Sequence, residues 1–320
     1  MLFSEYQELR LFQKCQDLDE DLPRKTIETE SIRYINMLRV KGNNGMSAQF
    51  CAVMMIISLC LLTACGKKPK SHPPVMVEMM NRMTPVKDQG QSQTCWIYAM
   101  LAAIETEHIE KGDSVNLSAA YVEYMLRKEK NAPETKRGMG VTCIDMIQRH
   151  GLCGHDAYRK VDDDIVPPHQ VFMLGAVYTP HEFARSVCAP DEYVALTSND
   201  DEPYYQLTDI DLPDNWNHNR FWNIPMDSLL NVTERAVRQH HGICWESKAH
   251  AMAIVGLGRD AKNNRYFIMK NSWGDDDADH GLAYLSFKQF RKKTLAVVMP
   301  KACLEGKLRP TTGGMEDKKP

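Results

Sequence analysis

One stretch constrains this chain more than any other. Pro85-Val-Lys-Asp-Gln89-Gly-Gln-Ser-Gln-Thr-Cys95-Trp96 is a polar, glycine-bearing loop that runs straight into the apolar segment Ile97-Tyr-Ala-Met-Leu101-Ala-Ala-Ile104-Glu105. Ile97, Leu101 and Ile104 fall at helical spacing, so the loop delivers a cysteine to the first turn of a buried helix. The helix dipole is positive there, which lowers a thiol's pKa and favours the thiolate, the form that attacks carbonyl carbon. Gln89, six residues upstream, would offer an amide N–H to a developing oxyanion if the loop folds back over the cysteine. Taken alone, the pair also fits a structural cysteine beside an ordinary loop glutamine, because free cysteine is most often a core residue.

A nucleophilic cysteine needs a base and a group that orients the base, remote in sequence but adjacent in the fold. His250 stands at the entrance of an apolar run, Ala251-Met-Ala-Ile-Val-Gly-Leu-Gly258, that reads as a buried strand. Asn271 opens Asn271-Ser-Trp-Gly274, directly after the strand-like Tyr266-Phe-Ile-Met-Lys270. Two consecutive strands would set His250 and Asn271 side by side. The carboxamide would then accept the imidazole N–H, and Trp273 would shield that bond from water. A lone histidine on such a strand is more often a satisfied core residue; the four groups in this order are far more specific.

That order resembles the papain-like cysteine peptidases: Gln89, Cys95-Trp96, His250 before a small hydrophobic run, then Asn271-Ser-Trp-Gly274. Within them the closer resemblance is to the bleomycin hydrolase or aminopeptidase C branch, carried by His250-Ala-Met252, Thr179-Pro-His-Glu-Phe183, Asn223-Ile-Pro-Met-Asp227 and the acidic loop after Gly274. The resemblance implies an α+β, two-lobed fold with a helical N-terminal half, an antiparallel half-barrel C-terminal half and the active-site cleft between them. It implies Cys95 as nucleophile, His250 as base, Asn271 as its orienting group, and Gln89 with the Cys95 N–H as oxyanion donors. Gly138, Gly140 and Trp273 become substrate-binding candidates, although a simple turn explains the two glycines equally well. The implied activity is peptide-bond hydrolysis through a thioester acyl-enzyme, with no metal and no organic cofactor, on peptide or protein substrates. Endopeptidase and aminopeptidase action both stay open, and a catalytically inactive peptide-binding lipoprotein on the same fold is the alternative. Three departures stand out. Ser92 occupies the place of a disulfide cysteine in many of these enzymes, and Gln93 replaces a glycine, which would strain it if the site needs positive φ. The segment between Glu246 and His250 is also much shorter than in the family.

The rest of the chain adds an address. Residues 37–64 resemble a bacterial lipoprotein signal peptide: Arg39 and Lys41 precede an apolar run that ends in Leu62-Thr-Ala-Cys65, matching a lipobox in which Cys65 becomes the lipidated N-terminus. A plain membrane anchor or buried helix is the competing reading. A signal peptide should begin a chain, so residues 1–36 read as an overextended start. Residues 65–84 then form a tether, 85–303 the peptidase domain and 304–320 a polar tail. This predicts a protein lipid-anchored in the bacterial cell envelope, at the outer membrane, with a membrane partner and an oligomeric state left open. A net charge of −3 and a pI near 6.4 argue against a nucleic-acid partner. Asp162-Asp-Asp164 reads as a solvated acidic turn rather than a cation site. Among ten cysteines, Cys143 and Cys153 are near enough in sequence to be candidates for pairing. Further helices are expected over 119–130, with Ser118 as cap, 141–151, 180–187 and 226–240, and strands over 243–246, 251–257, 265–270 and 282–287.

Overall fold

Trp96, Ile97, Met100, Leu101 and Ile104 leave no polar face on the first turns of their helix, so this segment can be stable only inside the protein. The computed structural model describes residues 74–161, 165–173, 175–275 and 278–304. Residues 1–73, which hold the expected overextended start, the signal-peptide segment, Cys65 and the first part of the tether, lie outside the described residues, as do Asp162-Asp-Asp164 and residues 305–320. In chain order come β1 (Met76–Met80), α1 (Cys95–Glu110), α2 (Ala119–Lys128), α3 (Gly140–His150), β2 (Val171–Met173), β3 (Ala176–Tyr178), α4 (Pro180–Val187), β4 (Tyr193–Thr197), β5 (Gln206–Asp209) and β6 (Arg220–Asn223). They are followed by α5 (Met226–Arg238), β7 (Ile243–Glu246), β8 (Ala251–Arg259), β9 (Arg265–Lys270), β10 (Leu282–Ser286), α6 (Phe287–Lys293) and β11 (Ala296–Pro300). β1 belongs to the sheet, pairing antiparallel with β8, so the folded unit takes in residues that the sequence assigned to the tether.

Local chemistry sets the helix ends. Ser118 Oγ accepts the Tyr121 N–H at 3.0 Å and caps α2. Thr179 and Glu182 form a reciprocal capping box at α4, with Pro180 in the first turn. Gly151 closes α3 at φ 80°, a left-handed conformation that favours glycine.

The main sheet runs β10-β9-β8-β7-β11-β4-β6-β5 and is antiparallel apart from the β4–β6 pair. Two apolar cores lie on its two sides. One gathers α1, α2, α3 and α4, including Trp96, Leu101, Tyr121, Ile147 and Phe183, and takes Cys244 and Val298 from the sheet. The other packs Leu229, Leu230 and Val237 of α5 and Phe287 and Phe290 of α6 against Ile243, Trp245, Ile254, Phe267 and Val297. Strand alternation explains the split, since neighbouring residues of β7, Ile243 and Cys244, point to opposite sides. A short apolar seam of Ala102 from α1 with Ala253, Val255 and Ile268 joins the helical half to the half-barrel.

Two expectations are corrected here. Cys143 and Cys153 are both free and buried, each in its own packing site, so they do not pair. Gln93 does not take a positive φ; the left-handed residue of this loop is Gly90, at φ 61°. The condition for strain is therefore not met at Gln93.

Candidate active site

Cys95 is the first residue of α1, so its backbone N–H has no acceptor within the helix, and its side chain is half-buried at the helix N-terminus. The partner comes from across the sheet. After β7 the chain makes a tight turn, in which the Ser247 N–H and Oγ–H donate to the His250 carbonyl at 2.9 and 3.0 Å, and the His250 N–H returns to Ser247 Oγ at 3.1 Å. This brief turn does the work of positioning the histidine at the head of β8. Antiparallel pairing of β8 with β9 places Ala253 opposite Lys270, so Asn271, the next residue, leaves the ladder at the end where His250 enters it. The imidazole Nε2 meets Asn271 Oδ1 at 2.7 Å, and the thiol of Cys95 is hydrogen-bonded to His250. With Nε2 on the carboxamide, Nδ1 is the nitrogen left for the sulfur. Asn271 is itself fixed: its Oδ1 also accepts the Ser272 N–H at 2.9 Å and its own N–H donates to the Gly281 carbonyl at 2.9 Å. Trp273 stacks on the imidazole, ring centroids 5.0 Å apart and planes within 28°, which keeps water from the His–Asn bond.

Burial alone would push the Cys95 thiol up. The charge of His250, its hydrogen bond, the Ala251 N–H and the more distant Arg137 outweigh that and hold the thiol below its ordinary value. The other described thiols lack such help. Burial pushes Cys153, Cys188 and Cys303 up to about 12, and Cys143 and Cys244 go well above the usual range.

Gln89 is held from both ends of its amide. Its Nε2 donates to the Ser92 carbonyl at 2.7 Å, its Oε1 accepts from Ser272 Oγ at 2.5 Å, and its backbone N–H donates to the Ser272 carbonyl at 2.8 Å. The amide has two hydrogens and the Ser92 bond uses one. The loop is tied further by Glu123 of α2, whose Oε1 accepts from Thr94 Oγ1 and from Ser92 Oγ at 3.3 Å. Ser92, the departure noted from the sequence, thus takes part in a hydrogen-bonded brace. Gly138 lines the cleft and abuts Trp96: a Cβ there would lie 2.8 Å from the indole ring. Gly140 lies behind the cleft wall, its N–H taken by Glu246 and a hypothetical Cβ 2.9 Å from Cys244 Sγ, so its lack of a side chain serves packing.

Three groups near Cys95 escaped the sequence reading. Arg137 grips the Asp214 carboxylate through Nε and a terminal nitrogen at 2.7–3.0 Å, at the edge of the same cavity. Glu246 enters that cavity from β7. Behind the site, Lys270 donates to Thr84 Oγ1 at 2.7 Å near the buried Glu105; burial, only partly opposed by Glu105, lowers its pKa to about 8. A charged residue within an apolar strand, as at Glu246 and Lys270, was the one available signal.

A family profile described as "Papain family cysteine protease" matches residues 75–297, well over half of the chain. The chain belongs to the papain family of cysteine proteases. Among relatives of this papain-family chain, the thiol protease SEN102 of Hemerocallis sp. is 23% identical over 206 residues, 62% of this chain and 50% of that protein. The viral cathepsin of Mamestra configurata nucleopolyhedrovirus is 26% identical over 218 residues, covering 63% and 53%. The chain thus spans about half the length of these relatives. In the solved structure of PepW from Lactobacillus rhamnosis HN001, 73% of this chain and 83% of that one superpose with a TM-score of 0.57 at 14% identity, a likeness of fold. The papain-like α+β architecture, with helices and a mostly antiparallel sheet, is the one expected from the sequence.

Proposed function

We propose that this chain is a thiol peptidase that hydrolyses peptide bonds through a thioester acyl-enzyme. The observation that carries the proposal is the continuous hydrogen-bonded series from Cys95 through His250 to Asn271, roofed by Trp273. In the forward reaction the Cys95 thiolate attacks the scissile carbonyl carbon, and the oxyanion is taken up by the Cys95 N–H and the second amide hydrogen of Gln89. His250, held by Asn271, then gives its Nδ1 proton to the leaving amine as the tetrahedral adduct collapses to the thioester. Water enters, His250 accepts its proton, and hydrolysis of the thioester regenerates the thiolate. Relatives named as a thiol protease and cathepsins support this reading.

Two finer elements belong to the same proposal. Resemblance to the bleomycin hydrolase branch supports aminopeptidase action, and the Leu62-Thr-Ala-Cys65 motif supports a lipid anchor in a bacterial envelope. Cleavage of matched peptides with free and acetylated N-termini tests the first; indifference to the acetyl group makes the enzyme an endopeptidase. Incorporation of an alkyne fatty acid that is lost in Cys65→Ser tests the second, and an unlabelled wild type refutes it.

The central test is alkylation near neutral pH. Iodoacetamide is expected to label Cys95 selectively among the six described thiols, and Cys95→Ala is expected to abolish both peptide cleavage and that label. Failure of Cys95 to react faster than the five buried thiols would sink the assignment and leave a peptide-binding protein.

A further inference from the structure

The cleft contains a buried carboxyl group that the reaction above does not use. Glu246 is the last residue of β7, on the same side of the strand as Cys244, and so faces the helical half, whereas Ile243 and Trp245 point into the core behind the sheet. It pairs with Ala251 in the β7–β8 ladder, next to His250. Its side chain lines the same cavity as Cys95 and His250, with Gly138, Met139 and Leu295 as further walls. The residue is only 2% exposed. One carboxyl oxygen, Oε1, accepts the N–H of Gly140 at 2.7 Å. The other, Oε2, is buried with no hydrogen-bond partner.

An unsatisfied buried carboxyl oxygen is costly, and few are kept in a native fold without a use. The remaining charges at this end of the cleft do not supply one. Arg137 is turned to Asp214 and to the Lys248 carbonyl at 2.7 Å, so the arginine and the aspartate neutralise each other and the cavity retains one acid in excess. The walls beside that acid, Met139 and Leu295, are apolar, which suits the methylene stem of a long side chain.

We propose that Glu246 is the receptor for a substrate cation, an ammonium or guanidinium group brought into the cavity beside Cys95. The inference rests on the peptidase reading given above. The cation has two sources with the same chemistry: a lysine or arginine side chain of the substrate, or the α-ammonium of its first residue. Either would satisfy Oε2 and leave the Gly140 bond to Oε1 in place. Without a partner, burial pushes the Glu246 carboxyl up to about 8, so arrival of the cation would draw the group into its ionised form.

The test uses the full chain and matched fluorogenic peptides carrying arginine or its neutral isostere citrulline on the amino side of the scissile bond, each with a free or acetylated N-terminus. At least a tenfold higher kcat/KM is expected for arginine over citrulline, or for free over acetylated termini; which pair responds names the source of the cation. Glu246→Gln keeps the atoms around Gly140 and is expected to bring the responding ratio close to one, while Glu246→Asp, which retains the charge, keeps much of it. The iodoacetamide rate of Cys95 in each variant reports whether the site is intact. Where no peptide is cleaved, protection of Cys95 from alkylation by the arginine peptide over the citrulline peptide reads the same preference, so failure of catalysis and failure of the cation site are told apart. A wild type indifferent to charge in both pairs, or a preference that persists in a Glu246→Gln variant with normal Cys95 labelling, overturns the proposal.

Discussion

Asn271 accepts from the imidazole and from the Ser272 N–H with one oxygen, so its carboxamide cannot rotate without losing both bonds. Asn271→Ala should therefore lower kcat by about 10- to 100-fold, the worth of a hydrogen bond to a charged group, with a smaller effect on KM. Steady-state kinetics checks this, and an unchanged kcat would assign the positioning of His250 to Trp273 alone. Glu246 makes a prediction of a different sign. Its folded pKa of about 8 lies above the ordinary 4.5, so the folded state holds a proton that the unfolded chain gives up between those values. The stability associated with it is complete below pH 4.5 and declines as pH rises towards 8. Melting at pH 5 and pH 8 should show wild type losing ground to Glu246→Gln, by at most about 1.4 kcal/mol for each pH unit in that window. At this scale the sequence was legible where a residue's chemistry is rare. A cysteine at a helix start, a histidine at a strand entrance and an Asn-Ser-Trp-Gly turn have few other reasons to occur together. Glu246 was not legible, because a carboxylate at the end of an apolar strand looks the same whether it faces solvent, a helix N-terminus or a cavity. Only the strand pairing decides that.

Among the elements, α1 sets the tolerances. A Cβ at Gly242, just before β7, would fall 1.9 Å from the Ala103 carbonyl oxygen, so the strand can approach α1 only without a side chain there. Gly242→Ala is expected to destabilise the fold by about 1–3 kcal/mol, measured as a lower denaturant midpoint with an unchanged slope. Glu107, near the other end of α1, is buried yet bound by His241 Nδ1 at 3.0 Å and Lys111 at 3.1 Å. These bonds outweigh burial and hold its carboxyl down to about 2. Its contribution is present above pH 4.5 and fades as pH falls towards 2. Glu107→Gln should cost about 2–3 kcal/mol at pH 7 and nothing below pH 2, by urea unfolding at each pH. The strands flanking His250 were readable from their apolar runs. β4, β5, β6 and β11 went unread. β11 and β4 are short strands in the middle of the sheet, and Ala296–Pro300 is buried throughout, so it shows no alternation to separate a strand from a piece of helix. β5 and β6 are four residues each and lie among polar loops.

Seen whole, Cys95 and His250 sit on opposite sides of a boundary that no disulfide crosses among the described residues. All six described cysteines are free. Across the divide, Ala102 packs against Ala253, Val255 and Ile268, and within the helical half the Ser92–Thr94 loop is braced by Glu123. The midpoint of thermal unfolding should accordingly be the same with and without dithiothreitol, whereas activity should be protected by it, because the half-buried Cys95 alone among these thiols is both accessible and easily ionised. Oxidant sensitivity and mechanical integrity are thereby uncoupled. A brief peroxide pulse that stops at the sulfenic acid of Cys95 would silence the molecule at one atom while leaving its architecture untouched, and dithiothreitol, itself oxidised to its disulfide, would return the thiolate without any refolding.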